Sequence, residues 1–119
     1  MTILQIAFGG ALGAVLRYLC VSVVSAPWGT AAVNIAGSFA MGLALVWLME
    51  SGTDHARWAP LLMTGVLGGF TTFSAFSLDT LRLFEAGQVG LAAAYVLGTV
   101  VMCLVAVLVG VLLGRGVLA

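Results

Sequence analysis

Apolar residues run through this chain in four long blocks, and polar residues gather in the short stretches between them. The first block extends from about Ile3 to Val24 and contains one charge, Arg17. Ser25-Ala26-Pro27-Trp28-Gly29 interrupts the pattern, as Pro and Gly do. The second block, about Thr30 to Met49, has no charge; the hydrophilic stretch Glu50 to Arg57, with Asp54 and His55 inside it, follows. The third block runs from about Trp58 to Leu81 with Asp79 near its end, and Arg82 to Gln88 makes a short turn. The fourth runs from about Val89 to Leu113 and is closed by Arg115. Each block supplies the ~20 mostly apolar residues that a helix needs to cross a bilayer core. The pattern therefore predicts an all-α membrane protein with four transmembrane helices, over residues 3–24, 30–49, 58–81 and 89–113 of a single domain, 1–119. The first block lacks a basic leader and is long enough to span, so it is read as a helix and not as a cleaved signal. Four spans put both termini on one side.

Composition sharpens the picture. Of 119 residues 63% are apolar and 7% charged, with four basic and four acidic residues balancing to zero. Soluble domains carry ~25% charged residues, and so few charges cannot cover the surface of a small soluble fold. A disordered chain is excluded by the same numbers, and the lack of basic excess speaks against nucleic acid as a partner. All four basic residues are Arg. Arg57 and Arg115 fall on the side of the termini, Arg17 and Arg82 nearer the other, so the usual positive bias that sets orientation is zero. Either other contacts orient the chain, or copies insert both ways, and dual insertion predicts an antiparallel assembly. The 16 glycines include pairs at small-xxx-small spacing: Gly9 and Gly13, Gly65 and Gly69, Gly110 and Gly114, with Ser38 and Gly42. Such spacing lets membrane helices approach closely, within one chain or between chains.

Polar groups in hydrocarbon need partners, so the few inside the spans are informative. The third span contains Gly65-Val66-Leu67-Gly68-Gly69-Phe70-Thr71-Thr72-Phe73-Ser74-Ala75-Phe76-Ser77. Paired Gly and paired Thr lower helix propensity at mid-depth, which predicts a broken helix with unwound backbone between two half-helices. The alternative is an intact helix whose hydroxyls bond back to the preceding turn. Broken helices offer carbonyls to cations and N–H groups to anions. Asn34 and Ser38 share a face of the second span, and Tyr95, Thr99 and Cys103 form a polar stripe at i, i+4 and i+8 on the fourth. Phe73 and Phe76 share a face if helix resumes there, and aromatic ring edges are positive. Arg17 either snorkels to the interface or concentrates anions at a vestibule; its partner is Asp79 or a carbonyl. Catalysis finds no support: His55 lies in the loop, and Cys20 and Cys103 have no metal-ligand spacing. The chain is not expected to be an enzyme.

Three segments carry a family resemblance. Gly9-Gly10-Ala11-Leu12-Gly13-Ala14-Val15-Leu16-Arg17-Tyr18, Gly29-Thr30-Ala31-Ala32-Val33-Asn34-Ile35-Ala36-Gly37-Ser38-Phe39 and Gly68-Gly69-Phe70-Thr71-Thr72-Phe73-Ser74 resemble, in order, the first-, second- and third-helix signatures of the Fluc/CrcB fluoride channels. The match covers the whole chain in length, span count and motif order. The resemblance implies an antiparallel dual-topology homodimer in the cell (inner) membrane, with two fluoride pores lined by both copies and a structural Na⁺ at the dimer centre. By motif position, the carbonyls of Gly68 and Thr71 from both chains would hold Na⁺. Asn34 would be the pore amide, Phe73 and Phe76 the pore phenylalanines, Ser74 a hydroxyl donor, and Tyr95 and Thr99 part of a polar track. Cys103 stands where a hydroxyl residue is common.

Two other classes compete. A small multidrug/proton antiporter would have four helices and this length, but it needs an embedded carboxylate, typically in the first span, where this chain has only Arg17. A non-transporting membrane assembly subunit would need neither the broken helix nor the Asn, Phe and Ser set.

Overall fold

The computed structural model describes residues 1–50, 52 and 54–117. Residues 51, 53, 118 and 119, part of the predicted loop 50–57 and the end of the predicted domain, lie outside the described residues. The structure is all-helical among the described residues. Helix α1 is Thr2–Val23 and α2 is Trp28–Leu45, which continues as a π-helical turn over Val46–Glu50. A short α3, His55–Ala59, leads through a π-helical stretch, Pro60–Leu67, into α4, Gly68–Phe70. Helix α5 is Phe73–Glu85 and α6 is Val89–Val117. Grouped by continuity these give four segments apolar and long enough to cross a membrane: Thr2–Val23, Trp28–Glu50, His55–Glu85 and Val89–Val117. At ~1.5 Å rise per residue, even the first, 22 residues, exceeds the ~30 Å hydrocarbon core.

The helices extend past the apolar blocks because their ends are set by capping, which hydropathy does not report. Asp54 caps α3, its carboxylate accepting from the Arg57 N–H at 3.3 Å, so the third segment begins before Trp58. Pro60 brings no N–H to the ladder and opens the π-helical stretch. At the other end α5 closes in a Schellman arrangement: Gln88 N–H donates to Leu83 O and Gly87 N–H to Phe84 O, both at 3.0 Å. Gly87 sits there at φ +81°, a region that a side chain would make strained.

The four segments pack as two parallel pairs. Segment one lies along segment three: Gln5 donates to Arg57 O at 2.9 Å, and a Cβ on Gly65 would stand 2.9 Å from Gly9 Cα. Further along, a Cβ on Gly13 would strike Val66 O. Segment two lies along segment four. A Cβ on Gly110 would strike Phe39 O, Val46 packs on Gly114, and Arg115 forks onto Glu50 with Nη2–Oε1 at 2.9 Å. The small residues seen in the sequence thus work in large part within the chain, where bare backbone permits close dispersion contact. The buried apolar set is small: Val33, Val46, Leu48, Phe76, Ala92 and Tyr95. Large apolar side chains of α1 and α6, such as Leu4, Phe8, Leu104 and Leu112, point outward, the inverse of a soluble helix bundle and what a lipid-facing surface requires.

Candidate functional site

Between α4 and α5 two residues leave helical geometry. Thr71 is extended (φ −85°, ψ 155°), and so is Thr72 (φ −152°, ψ 119°). Extended backbone turns its N–H and C=O sideways, so both need partners off the helix axis. Asn34 on α2 supplies them for Thr72. Its Nδ2 donates to Thr72 O at 2.9 Å, and its Oδ1 accepts from Thr72 N–H at 2.7 Å. A primary amide can do this because it carries a donor and an acceptor side by side, like a peptide group. Thr72 in turn caps α5, its Oγ1 accepting from Ala75 N–H at 3.2 Å, and it contacts the Ser74 hydroxyl at 3.2 Å.

These bonds redirect the helix ladder. In a continuous helix Thr72 N–H would go to Gly68 O, and Ala75 N–H to Thr71 O. Here the first goes to Asn34 and the second to the Thr72 side chain. Gly68 and Thr71 therefore both lose the donor that ordinarily occupies their carbonyl.

An open groove of about 430 Å³ runs beside this junction. Asn34, Gly37, Ser38 and Met41 line it from α2; Thr99, Cys103 and Val107 are among its lining residues on α6; Thr71, Thr72, Phe73 and Phe76 complete it. Lining positions recur every three or four residues on α2 and α6, one face of each helix. Gly37 admits the junction: a Cβ there would strike Thr71 Cγ2. Aromatic rings extend away from the groove in a row. Phe73 and Phe76 meet edge-on with centroids 5.4 Å apart, Phe76 meets Tyr95 at 5.3 Å, and Tyr95 meets Trp28 edge-on at 6.2 Å. Phe73 is 77% exposed, whereas Phe76 is 7% exposed. Tyr95 donates its hydroxyl to Asp79 Oδ2 at 3.4 Å, with both residues buried.

The structure brings Asn34, Thr71, Phe73, Phe76 and Thr99 to one groove. Ser74 joins through Thr72, and Tyr95 stands behind Phe76. Gly68 lies one turn before the extended pair, outside the groove lining. Arg17 is half-buried on α1 and makes no hydrogen bond or ion pair among the described residues. Of its two suggested partners, Asp79 is engaged by Tyr95 instead. Met41 was not singled out in the sequence, while Thr72 and Asp79 were noted there only as part of the helix-breaking run and as a partner for Arg17. For Asp79 a signal existed, since it lies three residues beyond Phe76 and so on the same helix face. Among the described residues no group of three or more His, Cys, Asp or Glu side chains could hold a metal ion.

Comparison with known proteins gives a consistent answer. Residues 4–111 match CrcB-like protein, Camphor Resistance (CrcB). A relative from Paracoccus denitrificans (strain Pd 1222), named fluoride-specific ion channel FluC, is 51% identical over 124 residues, covering 99% of this chain and 98% of its own. The protein of the same name from Cereibacter sphaeroides (strain ATCC 17029 / ATH 2.4.9) is 51% identical over 125 residues, covering 99% and 98%. That from Agrobacterium fabrum (strain C58 / ATCC 33970) is 48% identical over 122 residues, covering 97% of each.

Proposed function

This chain belongs to the CrcB-like family, and from that membership we propose that it is a fluoride-selective channel, a multi-pass protein of the cell membrane that passively exports cytoplasmic fluoride. The observation that carries the reading in the residues themselves is the groove that unites Asn34, Phe73, Phe76 and Thr99 beside the extended Thr71-Thr72 pair.

The groove's chemistry suits a small, strongly hydrated anion. Fluoride entering a narrow passage gives up water, and donors must replace it without holding the ion too tightly. Asn34 spends one amide hydrogen on Thr72 O and retains a second. Thr99 and Ser74 add hydroxyls, and the Phe73 and Phe76 ring edges add weak positive potential. No Arg lies among the groove-lining residues, so no full charge would trap the ion. HF crosses lipid, dissociates at neutral pH and leaves fluoride inside. A negative-inside potential then contributes ~2.3 kcal/mol per charge per 100 mV toward exit.

The assembly is part of the proposal. One chain gives a groove open on one side with Phe73 exposed on it, so a pore needs a second wall. Two copies in antiparallel, dual-topology orientation would provide it twice, giving two pores in a homodimer. The third segment acts as a broken helix at Thr71-Thr72, and its two-fold pairing would bring together the carbonyls of Gly68 and Thr71 from both chains. Those carbonyls fit a structural Na⁺ chemically: their helix donors are redirected, and neutral carbonyl oxygens suit a hard monovalent cation. When bound, Na⁺ would supply positive potential at the membrane midplane. Arg17 would raise the anion concentration at a vestibule.

Proteoliposomes loaded with potassium fluoride or potassium chloride test the function. Fluoride efflux with chloride retained is the expected result. Equal efflux of the two anions, or none of either, overturns it.

A further inference from the structure

Gly37 sits on α2 three residues beyond Asn34, on the same helix face, and is buried. A Cβ there would strike the Thr71 Cγ2 methyl and stand 3.3 Å from Phe70 Cδ2. The ring atom ends a rotatable side chain and can turn aside. The methyl cannot. Thr71 donates both its hydroxyl and its N–H to Leu67 O, each at 3.1 Å. Its side chain is therefore pinned, with the hydroxyl on the preceding helical turn and the methyl against Gly37.

The bond that follows makes this contact consequential. The Thr71 carbonyl and the Thr72 N–H belong to one peptide unit, which is planar and trans. Asn34 Oδ1 accepts from that N–H at 2.7 Å, so the Thr71 carbonyl, at the opposite end of the unit, is turned away from Asn34. Asn34 Nδ2 donates to the next carbonyl, Thr72 O, at 2.9 Å. Helix α2 thus meets the junction at two neighbouring points, by a side-chain amide at Asn34 and by bare backbone at Gly37. Hydrogen bonds weaken steeply as they lengthen and bend, so the first contact needs the closeness that the second permits.

We infer that Gly37 is a positioning residue: by leaving room for the Thr71 methyl it holds the extended pair at the distance from α2 at which Asn34 bonds Thr72 in both directions. Gly37 itself offers no side chain to an ion. A methyl added at position 37 pushes Thr71 off α2 and stretches both amide bonds. The second amide hydrogen of Asn34 and the carbonyl of Thr71 then lose their directions together, because one peptide unit links them. The fit is specific to the Thr71 methyl, so a second substitution should undo the damage. Thr71→Ser deletes Cγ2 and keeps the hydroxyl that donates to Leu67 O. The consequence for flux rests on the function proposed above; the positioning itself does not.

A double-mutant cycle on the full chain in lipid bilayers tests this, with Gly37→Ala, Thr71→Ser and the two combined. Asn34 is the only asparagine in the chain, so asparagine labelled with ¹⁵N in its side chain gives solid-state NMR signals from this amide alone. In the parent background Gly37→Ala should move the hydrogen-bonded Asn34 proton upfield and lower fluoride efflux about tenfold or more. In the Thr71→Ser background the same substitution should leave the Asn34 signals in place and change efflux by less than about twofold. An unmoved Asn34 signal in Gly37→Ala overturns the inference. So does an equal loss in both backgrounds, which would make Gly37 a general packing position. Where Gly37→Ala alone fails to fold, the combined variant decides: folded protein with the Asn34 signals of Thr71→Ser supports the inference, and unfolded protein overturns it. Absence of fluoride efflux in the parent counts against the channel reading alone, because the NMR signals are read without fluoride.

Discussion

The side-chain amide of Asn34 pairs with the main chain of Thr72 in both directions, donating to its carbonyl at 2.9 Å and accepting from its N–H at 2.7 Å. One side chain thereby satisfies two peptide groups that have no helical partner, and it ties the second segment to the third at the floor of the groove. Asn34→Ala leaves both groups unpaired away from water, at about 1–3 kcal/mol each. We expect a lower melting temperature for the purified protein and loss of fluoride efflux. Asn34→Asp, which keeps the acceptor but replaces the donor with charge, should melt closer to the parent than Asn34→Ala does and still fail to conduct. Differential scanning fluorimetry and liposome efflux read the two effects separately.

The aromatic row predicts a functional gradient. Phe76→Ile and Phe73→Ile both remove positive ring edges from the groove, and both should lower fluoride efflux with the elution volume of the parent kept in size-exclusion chromatography. Phe76→Ile also removes the 5.3 Å contact to Tyr95 from a buried position, so it alone should reduce the melting temperature appreciably. Full flux in both variants refutes the ring-edge role.

Tyr95 and Asp79 form a buried polar pair inside a membrane segment. Tyr95→Phe strands the carboxyl group, a loss of about 1–3 kcal/mol, whereas Asp79→Asn keeps an acceptor for the hydroxyl. The expected order of melting temperature is parent, then Asp79→Asn, then Tyr95→Phe. A thermal-melt series establishes it, and the reverse order of the two variants would show that the hydrogen bond is not what holds the pair.

Close helix approach makes another contrast. Gly110→Val would drive a side chain into Phe39 O, while a Cβ on Gly98 meets nothing within 4 Å in the chain. Gly110→Val should destabilise by about 1–3 kcal/mol or more through overpacking and yield little folded protein. Gly98→Ala should express and melt like the parent. Detergent-extracted yield and melting temperature check both.

Topology is open to direct measurement. The even split of Arg17 and Arg82 against Arg57 and Arg115 predicts insertion in both orientations. C-terminal fusions to a cytoplasm-active and a periplasm-active reporter should both score positive. Activity of the cytoplasmic reporter alone contradicts dual insertion.

The amino-acid sequence by itself determined the membrane class and the four spans, because a bilayer selects helices by length and apolar content, and both are local properties. It marked the polar residues of the spans for the same reason: in hydrocarbon a rare Asn, Thr or Tyr stands out against its neighbours. It also located the weak helix-forming run at Gly68–Ser74, since propensity is read residue by residue, and the extended Thr71 and Thr72 fall within that run. Helix ends were displaced from the apolar boundaries because Asp54 and Gly87 act through cap geometry, not hydropathy. The tertiary structure alone decided partners. That Asn34 meets Thr72, 38 residues away, and that Tyr95 and not Arg17 takes Asp79 depend on how the two helix pairs sit against each other, whereas Met41 shares a cavity with Cys103 through the parallel register within one pair. Register is set by where bare glycine backbone lets helices touch, and no local pattern states which glycine will face which.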